Sequence, residues 1–122
     1  MGKVILIVED DPIIIKLIRD ILTVSGYATL EAADGQQGVA LTRAKKPDLI
    51  LMDLQLPIMD GFEAIKILKS DADTKDIPII ALTGYAMQSD KDKVYETGCE
   101  GYLIKPFALS ALLKKVAEYL SR

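Results

Sequence analysis

The sequence predicts an α/β domain built on a parallel sheet with helices on both faces. Three observations carry this. The runs Val4–Val8, Leu49-Ile50-Leu51-Met52 and Ile79-Ile80-Ala81-Leu82 are apolar without alternation, as strands buried on both faces must be. Stretches with apolar residues at helical spacing follow each strand, so strand and helix alternate five times across residues 1–122. The connections are short, which suits parallel strands joined by crossover helices. No linker or low-complexity stretch interrupts the alternation, and one domain spanning 1–122 is expected.

Each element has its own signals. The first strand ends in Glu9-Asp10-Asp11-Pro12, where Asp11 caps a helix and Pro12 occupies its first turn. Ile14, Leu17, Ile18, Ile21 and Leu22 form the inward stripe of that helix, and Gly26 closes it. Ile13 and Ile15 fall off the stripe and are expected at the exposed top of the helix, beside the acids. Ala28–Ala32 alternates, as an edge strand does. Asp34 with Gln37 gives a cap and its third-residue partner for a second helix over about 35–44. The strand entered through Pro47-Asp48 runs to Asp53, and Pro57 with Met59-Asp60-Gly61 turns the chain into a third helix over 61–69. A polar loop over 70–76 leads to the fourth strand, which ends at Thr83-Gly84. The next helix, 86–97, has Met87 and Val94 as nearly its only apolar anchors. A short strand, Gly101–Ile104, ends in Lys105-Pro106. Leu109, Leu112, Leu113, Val116, Ala117 and Leu120 mark an amphipathic last helix.

Composition removes several function classes. With 18 acidic against 15 basic residues there is no basic footprint, so direct nucleic-acid binding is not expected. The chain has no histidine, which excludes imidazole catalysis and histidine-ligated metal within it. Its one cysteine, Cys99, lacks a partner for a disulfide or a thiolate metal site and is expected as a buried structural thiol. The apolar run after Met1 is too short for a signal peptide or a membrane span, so a cytoplasmic protein is expected.

Open parallel sheets build their sites at the carboxyl ends of the strands. Glu9 and Asp10, Asp53, Thr83 and Lys105 all stand at such ends. Asp53 is the most telling, because a carboxylate that terminates a buried strand is costly unless it is partnered. Three carboxylates and one ammonium leave an excess negative charge that a divalent cation would cancel. Oxygen ligands without histidine or cysteine favour Mg²⁺, expected on Asp10 and Asp53 with Glu9 acting through water. This array suits phosphoryl transfer to Asp53, since catalysis there is mostly positioning and countercharge. Mg²⁺, Lys105 and the Thr83 hydroxyl would each take one phosphoryl oxygen, with Asp53 as the nucleophile.

The stretches Leu6-Ile7-Val8-Glu9-Asp10-Asp11, Asp53-Leu54-Gln55-Leu56-Pro57-Ile58-Met59-Asp60-Gly61, Thr83-Gly84 and Lys105-Pro106-Phe107 together resemble the receiver domain of two-component response regulators, from end to end. The resemblance implies a flavodoxin-like, doubly wound (βα)5 fold with strand order 2-1-3-4-5. It implies phosphorylation of Asp53 by a histidine kinase or histidine phosphotransfer protein. It implies Mg²⁺ on Asp10, Asp53 and the Gln55 backbone carbonyl with Glu9 in support, Thr83 and Tyr102 as a switch pair, and a cis Lys105-Pro106 peptide. Two positions depart from the common pattern. Glu9 replaces an aspartate and moves its carboxylate outward, and Gly84 stands where alanine is usual and opens access to the site.

The expected function is a phosphorylation-switched signalling module of a phosphorelay. Its only chemistry is self-catalysed phosphotransfer to Asp53 and slow hydrolysis from it. A monomer or weak dimer would present a changed surface on its fourth helix, fifth strand and fifth helix to a partner protein, or pass the phosphoryl group on. A phosphatase of the haloacid-dehalogenase type would need a second aspartate two residues after Asp53, where this chain has Gln55, which gives no proton. A flavin or nucleotide carrier would need a Gly/Ser/Thr-rich loop after the first strand, where Glu9-Asp10-Asp11 stands instead.

Overall fold

The computed structural model describes residues 2–84 and 88–121. Its elements are β1 (Val4–Val8), α1 (Pro12–Val24), β2 (Ala28–Ala32), α2 (Gly35–Lys45), β3 (Leu49–Asp53), α3 (Gly61–Ser70), β4 (Ile79–Thr83), α4 (Gln88–Glu96), β5 (Gly101–Ile104) and α5 (Leu109–Leu120). The strands form one parallel sheet in the order β2-β1-β3-β4-β5, the flavodoxin-like arrangement the resemblance implied. No helix among the described residues is long and apolar enough to cross a membrane.

Two cores sandwich the sheet, sorted by the two-residue period of its strands. Ile5, Ile7, Leu49, Leu51, Ile80 and Leu82 pack beneath Ile18 and Leu22 of α1 and Leu112 and Val116 of α5. Leu6, Val8, Ile50, Met52 and Ala81 point the other way, against Val39 of α2, Ala64, Ile65 and Leu68 of α3 and Val94 of α4. Each aliphatic side chain removed from water in this way contributes about 1.5–3 kcal/mol.

The helix starts obey their sequence signals. Asp11 Oδ1 accepts from Ile13 N–H at 2.9 Å, and Asp34 Oδ1 from Gln37 N–H at 2.7 Å. The Gln37 side chain reaches back one residue further than a capping box requires, accepting from Ala33 N–H at 3.1 Å. Asp60 caps α3 through Glu63 N–H at 2.9 Å. Gly26, at φ +96°, follows α1 as its closing residue.

Some expectations shift. Leu17 is 53% exposed, although the spacing placed it inward, and Ile15 is half-buried. The stripe of α1 is narrower than its apolar content, and Leu17 sits at its margin, beside Pro106, Phe107 and Leu109. Ile13 is 70% exposed, as expected. In α4 the anchor Val94 is buried, while Met87 and Ala86 lie outside the described residues. Cys99 is buried, with its thiol donating to Val94 O at 3.3 Å, a structural role; burial pushes its pKa up.

At the end of the sheet away from the acids, Lys69 ties three segments together. Its ammonium donates to Lys75 O at 2.9 Å, Ile77 O at 2.8 Å and Glu100 Oε2 at 2.7 Å. Glu100 Oε1 in turn accepts from Ile79 N–H at 2.8 Å. The tail of α3, the start of β4 and the approach to β5 are thereby joined.

Candidate functional site

The strand ends bring the expected residues to one rim. Asp53 is the last residue of β3 and 3% exposed, and Thr83, the last of β4, is 1% exposed. Glu9 and Asp10 follow β1, and Lys105 follows β5. Carboxylate oxygens of Glu9, Asp10 and Asp53 lie within 4.8 Å of one another. Lys105 N–H donates to Thr83 O at 2.7 Å, which fixes the end of β5 beside that of β4, and the Lys105-Pro106 peptide is cis.

Lys105 is shared between two of the acids. Its Nζ donates to Glu9 Oε1 at 2.7 Å and to Asp53 Oδ2 at 3.1 Å. Loss of solvent around the ammonium lowers its pKa, but the bonds to Glu9 and Asp53 outweigh this and hold it above the ordinary 10.5. The other Asp53 oxygen, Oδ1, accepts from Gln55 N–H at 3.0 Å. Glu9 Oε2 accepts from Asp11 N–H at 3.1 Å, so both Glu9 oxygens already have protein partners. The longer Glu9 side chain therefore reaches Lys105 directly, a pairing the sequence did not disclose.

Asp10 differs from its neighbours in being exposed. Partial desolvation at the rim, reinforced by the adjacent Glu9 carboxylate, pushes its pKa above 3.8. The sign follows from that direction. A raised folded-state pKa means that ionising Asp10 costs stability, a cost that sets in as pH rises past 3.8 and is complete above the raised value. Asp10→Asn should consequently melt at a higher temperature than the wild type in metal-free buffer at pH 7. The gain should shrink as pH falls toward 3.8, which thermal melts followed by circular dichroism at several pH values would check.

The donor set fits a hard divalent cation. Among the described residues only carboxylate oxygens converge, no imidazole or thiolate joins them, and one ammonium leaves two of three negative charges uncompensated. Asp10, which is exposed, is the acid with the freest approach for an ion; Asp53, like Glu9, accepts from protein donors at both oxygens and would share an oxygen with the ion.

Two glycines shape the site in ways the sequence signals understated. A Cβ at Gly61 would lie 2.2 Å from Asp53 O, and one at Gly35 2.0 Å from Met59 O. The start of α3 thus presses on the backbone of the buried aspartate, and α2 presses on the loop between β3 and α3. The only advance sign of the first was the Asp60-Gly61 turn, which by itself marks a turn and no more. Gly84 is exposed, and a Cβ there would meet Gln55 Oε1 at 3.7 Å, an ordinary contact, so the site admits the usual alanine.

That loop also carries strain. Met59 N–H donates to Pro57 O at 2.7 Å around Ile58, whose φ is +68°. A β-branched residue in this region costs about 1–3 kcal/mol. Met59 O accepts from Gly35 N–H at 3.0 Å, and Leu56 and Met59 pack on the core, so both flanks are anchored while Ile58 is thrown outward.

Tyr102 is half-buried and packs edge-to-face against Tyr95 of α4, with ring centroids 5.4 Å apart and planes at 79°. It is paired in register with Ala81, and Thr83 lies two residues further along β4. The two-residue period therefore puts Thr83 and Tyr102 on the same side of the sheet, the side α4 covers.

An apolar groove of about 430 Å³ opens beside Lys105, walled by Ile14, Leu17, Ile18, Pro106, Phe107 and Leu109.

Comparison with known proteins agrees with this geometry. Residues 5–117 match the response regulator receiver domain family. The polar-differentiation response regulator DivK of Brucella anthropi is 41% identical over 120 residues, covering 98% of both chains. Among solved structures, the receiver domain of sensor histidine kinase PA1611 from Pseudomonas aeruginosa PAO1, with magnesium coordinated in its active-site cleft, is 34% identical. It superposes with a TM-score of 0.92 over all of both chains. A response regulator from Chloroflexus aurantiacus is 31% identical, with a TM-score of 0.95 over all of both chains.

Proposed function

We propose, from the premise that the chain belongs to the response regulator receiver domain family, that Asp53 accepts a phosphoryl group from a phosphohistidine protein. A receiver domain is a signalling module rather than an enzyme. The observation that carries this proposal is the Lys105 ammonium bridging Glu9 and Asp53 inside a cluster that still lacks positive charge.

In the transfer, an Asp53 carboxylate oxygen forms a bond to phosphorus as the donor's P–N bond breaks, and the donor imidazole takes the electron pair. Asp10, Asp53 and the Gln55 carbonyl, with Glu9 behind them, would hold Mg²⁺, which when bound would supply countercharge for the oxygens of the phosphoryl group. Lys105 already stands at Asp53 Oδ2 and meets one of those oxygens without travelling far. Thr83, at the neighbouring strand end, offers its hydroxyl to another. The Gln55 amide is no base and takes no proton from an attacking water, so the acyl phosphate is lost slowly and the domain is a switch.

Once Asp53 carries phosphate, Thr83 is drawn toward it and Tyr102, on the same side of the sheet, follows. Tyr102 packs on Tyr95, which is 50% exposed, so this motion changes the face made by α4, β5 and α5. That face is read by a partner protein, or the phosphoryl group passes to another histidine. The histidine kinase or phosphotransfer protein docks in the apolar groove beside Lys105. The chain acts in the cytoplasm as a monomer or weak dimer, without binding nucleic acid.

Incubation with acetyl phosphate and Mg²⁺, followed by intact-mass measurement, tests the charging step. One phosphoryl group per chain is expected, with EDTA reducing labelling to background. Equal labelling in EDTA would refute the cation requirement.

A further inference from the structure

α4 is held very unevenly along its length. Val94, in its last turn, is its buried anchor among the described side chains. The six residues before it, Gln88-Ser89-Asp90-Lys91-Asp92-Lys93, include no apolar residue. The apolar burial that binds α4 to the sheet is therefore concentrated near its C-terminal end.

Hydrogen bonding repeats the asymmetry. The last carbonyls of a helix lack intrahelical partners, yet Val94 O accepts from three donors. They are the Thr97 N–H at 3.2 Å, the Thr97 hydroxyl, and the Cys99 thiol at 3.3 Å. The Thr97 hydroxyl oxygen accepts in turn from Cys99 N–H at 3.4 Å. Thr97 and Cys99 are buried, so these bonds lie away from water, where breaking them is costly.

Between those two residues Gly98 turns the chain at φ +92°, and a Cβ there would stand 3.3 Å from Lys69 Cγ. Glu100 follows, and its side chain is tied to Lys69 and to Ile79 N–H. Its carbonyl accepts from the Tyr119 hydroxyl of α5 at 2.7 Å. The end of α4, the entry to β5 and the end of α5 are thus fastened together. Tyr95 stands one residue from Val94 and carries the ring contact with Tyr102. A push from Tyr102 meets α4 close to its fastened end.

We propose that α4 is a lever whose hinge is the turn at residues 94–99: its C-terminal end stays in place, and its N-terminal end swings when Tyr102 shifts. This rests on the reading that phosphorylation of Asp53 moves Tyr102. The helical rise sets Ser89 roughly 7 Å beyond Val94, so a swing of about 20° carries it about 2–3 Å. A partner that tells the two states apart touches the first turns of α4. The turn at Gly98 and the end of α5 look the same to it in both.

Pairs of nitroxide labels read this directly. Ser89→Cys or Glu96→Cys would each be paired with two references, Lys114→Cys on α5 and Lys66→Cys on α3, while the buried Cys99 is left unlabelled. Two references are needed because a swing at right angles to one line does not change its length. Pulsed electron spin resonance would give the distances before and after treatment with acetyl phosphate and Mg²⁺, with intact mass reporting the phosphoryl group. From at least one reference Ser89 should move about 2–3 Å, and Glu96 less than about 1 Å from either. Equal changes at the two positions, or a larger one at Glu96, overturn the lever. No change at either position in phosphorylated protein also overturns it, and leaves the acceptor reading standing. No phosphoryl group on the wild type ends both.

Thr97→Val keeps the branched side chain and removes the hydroxyl. It should be labelled by acetyl phosphate at the wild-type rate, while its Glu96 distances broaden on phosphorylation. Glu96 distances as narrow as those of the wild type would overturn the placing of the hinge.

Discussion

Asp53→Asn is expected to abolish labelling by acetyl phosphate and Mg²⁺ while leaving the protein folded. The amide keeps the size of the carboxylate and its Oδ1 can still accept from Gln55 N–H, a bond 3.0 Å long in the wild type. Lys105 keeps its 2.7 Å bond to Glu9, so no buried cation is orphaned. What disappears is the nucleophile, because a neutral amide oxygen does not form the acyl phosphate. The substitution also removes one negative charge from a crowded cluster, so the variant should melt no lower than the wild type without metal. Intact-mass measurement of both proteins, beside thermal melts, separates loss of chemistry from loss of fold. Labelling equal to wild type would move the phosphoacceptor to another residue.

Lys105→Ala should have the largest combined effect. Glu9 is 1% exposed and Asp53 3%, and both rely on this ammonium. Removing one partner of a buried ion pair leaves the other charge uncompensated. The Lys105 side chain is 24% exposed, which screens the pair, so a loss of about 1–3 kcal/mol in metal-free buffer is expected, below the cost of breaking a fully buried pair. Labelling should slow about a hundredfold, because a fixed countercharge at the developing phosphoryl oxygens is gone. The pH dependence has a definite sign. The folded pKa of Lys105 is raised, so its stabilisation is fully present below 10.5 and is lost as pH climbs through the higher folded value. The gap between wild type and variant in urea unfolding should therefore be flat near neutrality and close above pH 10.5. A gap that persisted unchanged into that alkaline range would mean that the energy lies in packing of the lysine stem.

The secondary structure was legible because each of its signals is local. A strand buried on both faces can only be written in apolar residues, and a helix start needs an oxygen for its free N–H groups, supplied here by Asp11 and Asp34. The site was legible as a set, since strand ends in an open parallel sheet share a rim. What stayed hidden are pairings between distant residues. Glu9 and Lys105 are separated by 96 positions, and nothing in either stretch says that Lys105 serves two acids. Leu17 fits the helical stripe by spacing, yet the width of that stripe is set by α5, so its exposure could not be read from α1 alone. Ile58 gives a sequence no warning of its φ, because isoleucine is among the residues least expected there.

Lys69 and Glu100 carry one last consequence. Their three-way knot pins the entry to β5 at the pole remote from Asp53, so a rearrangement of α4 and β5 would be restrained at that end. The other end of β5 is held too, by the 2.7 Å bond from Lys105 N–H to Thr83 O, so a rearrangement would have most room between these two posts, around Tyr102. Lengthening the turn around Gly98 and Cys99 would slacken the hinge and blur the signal, even in a domain whose acceptor chemistry was untouched.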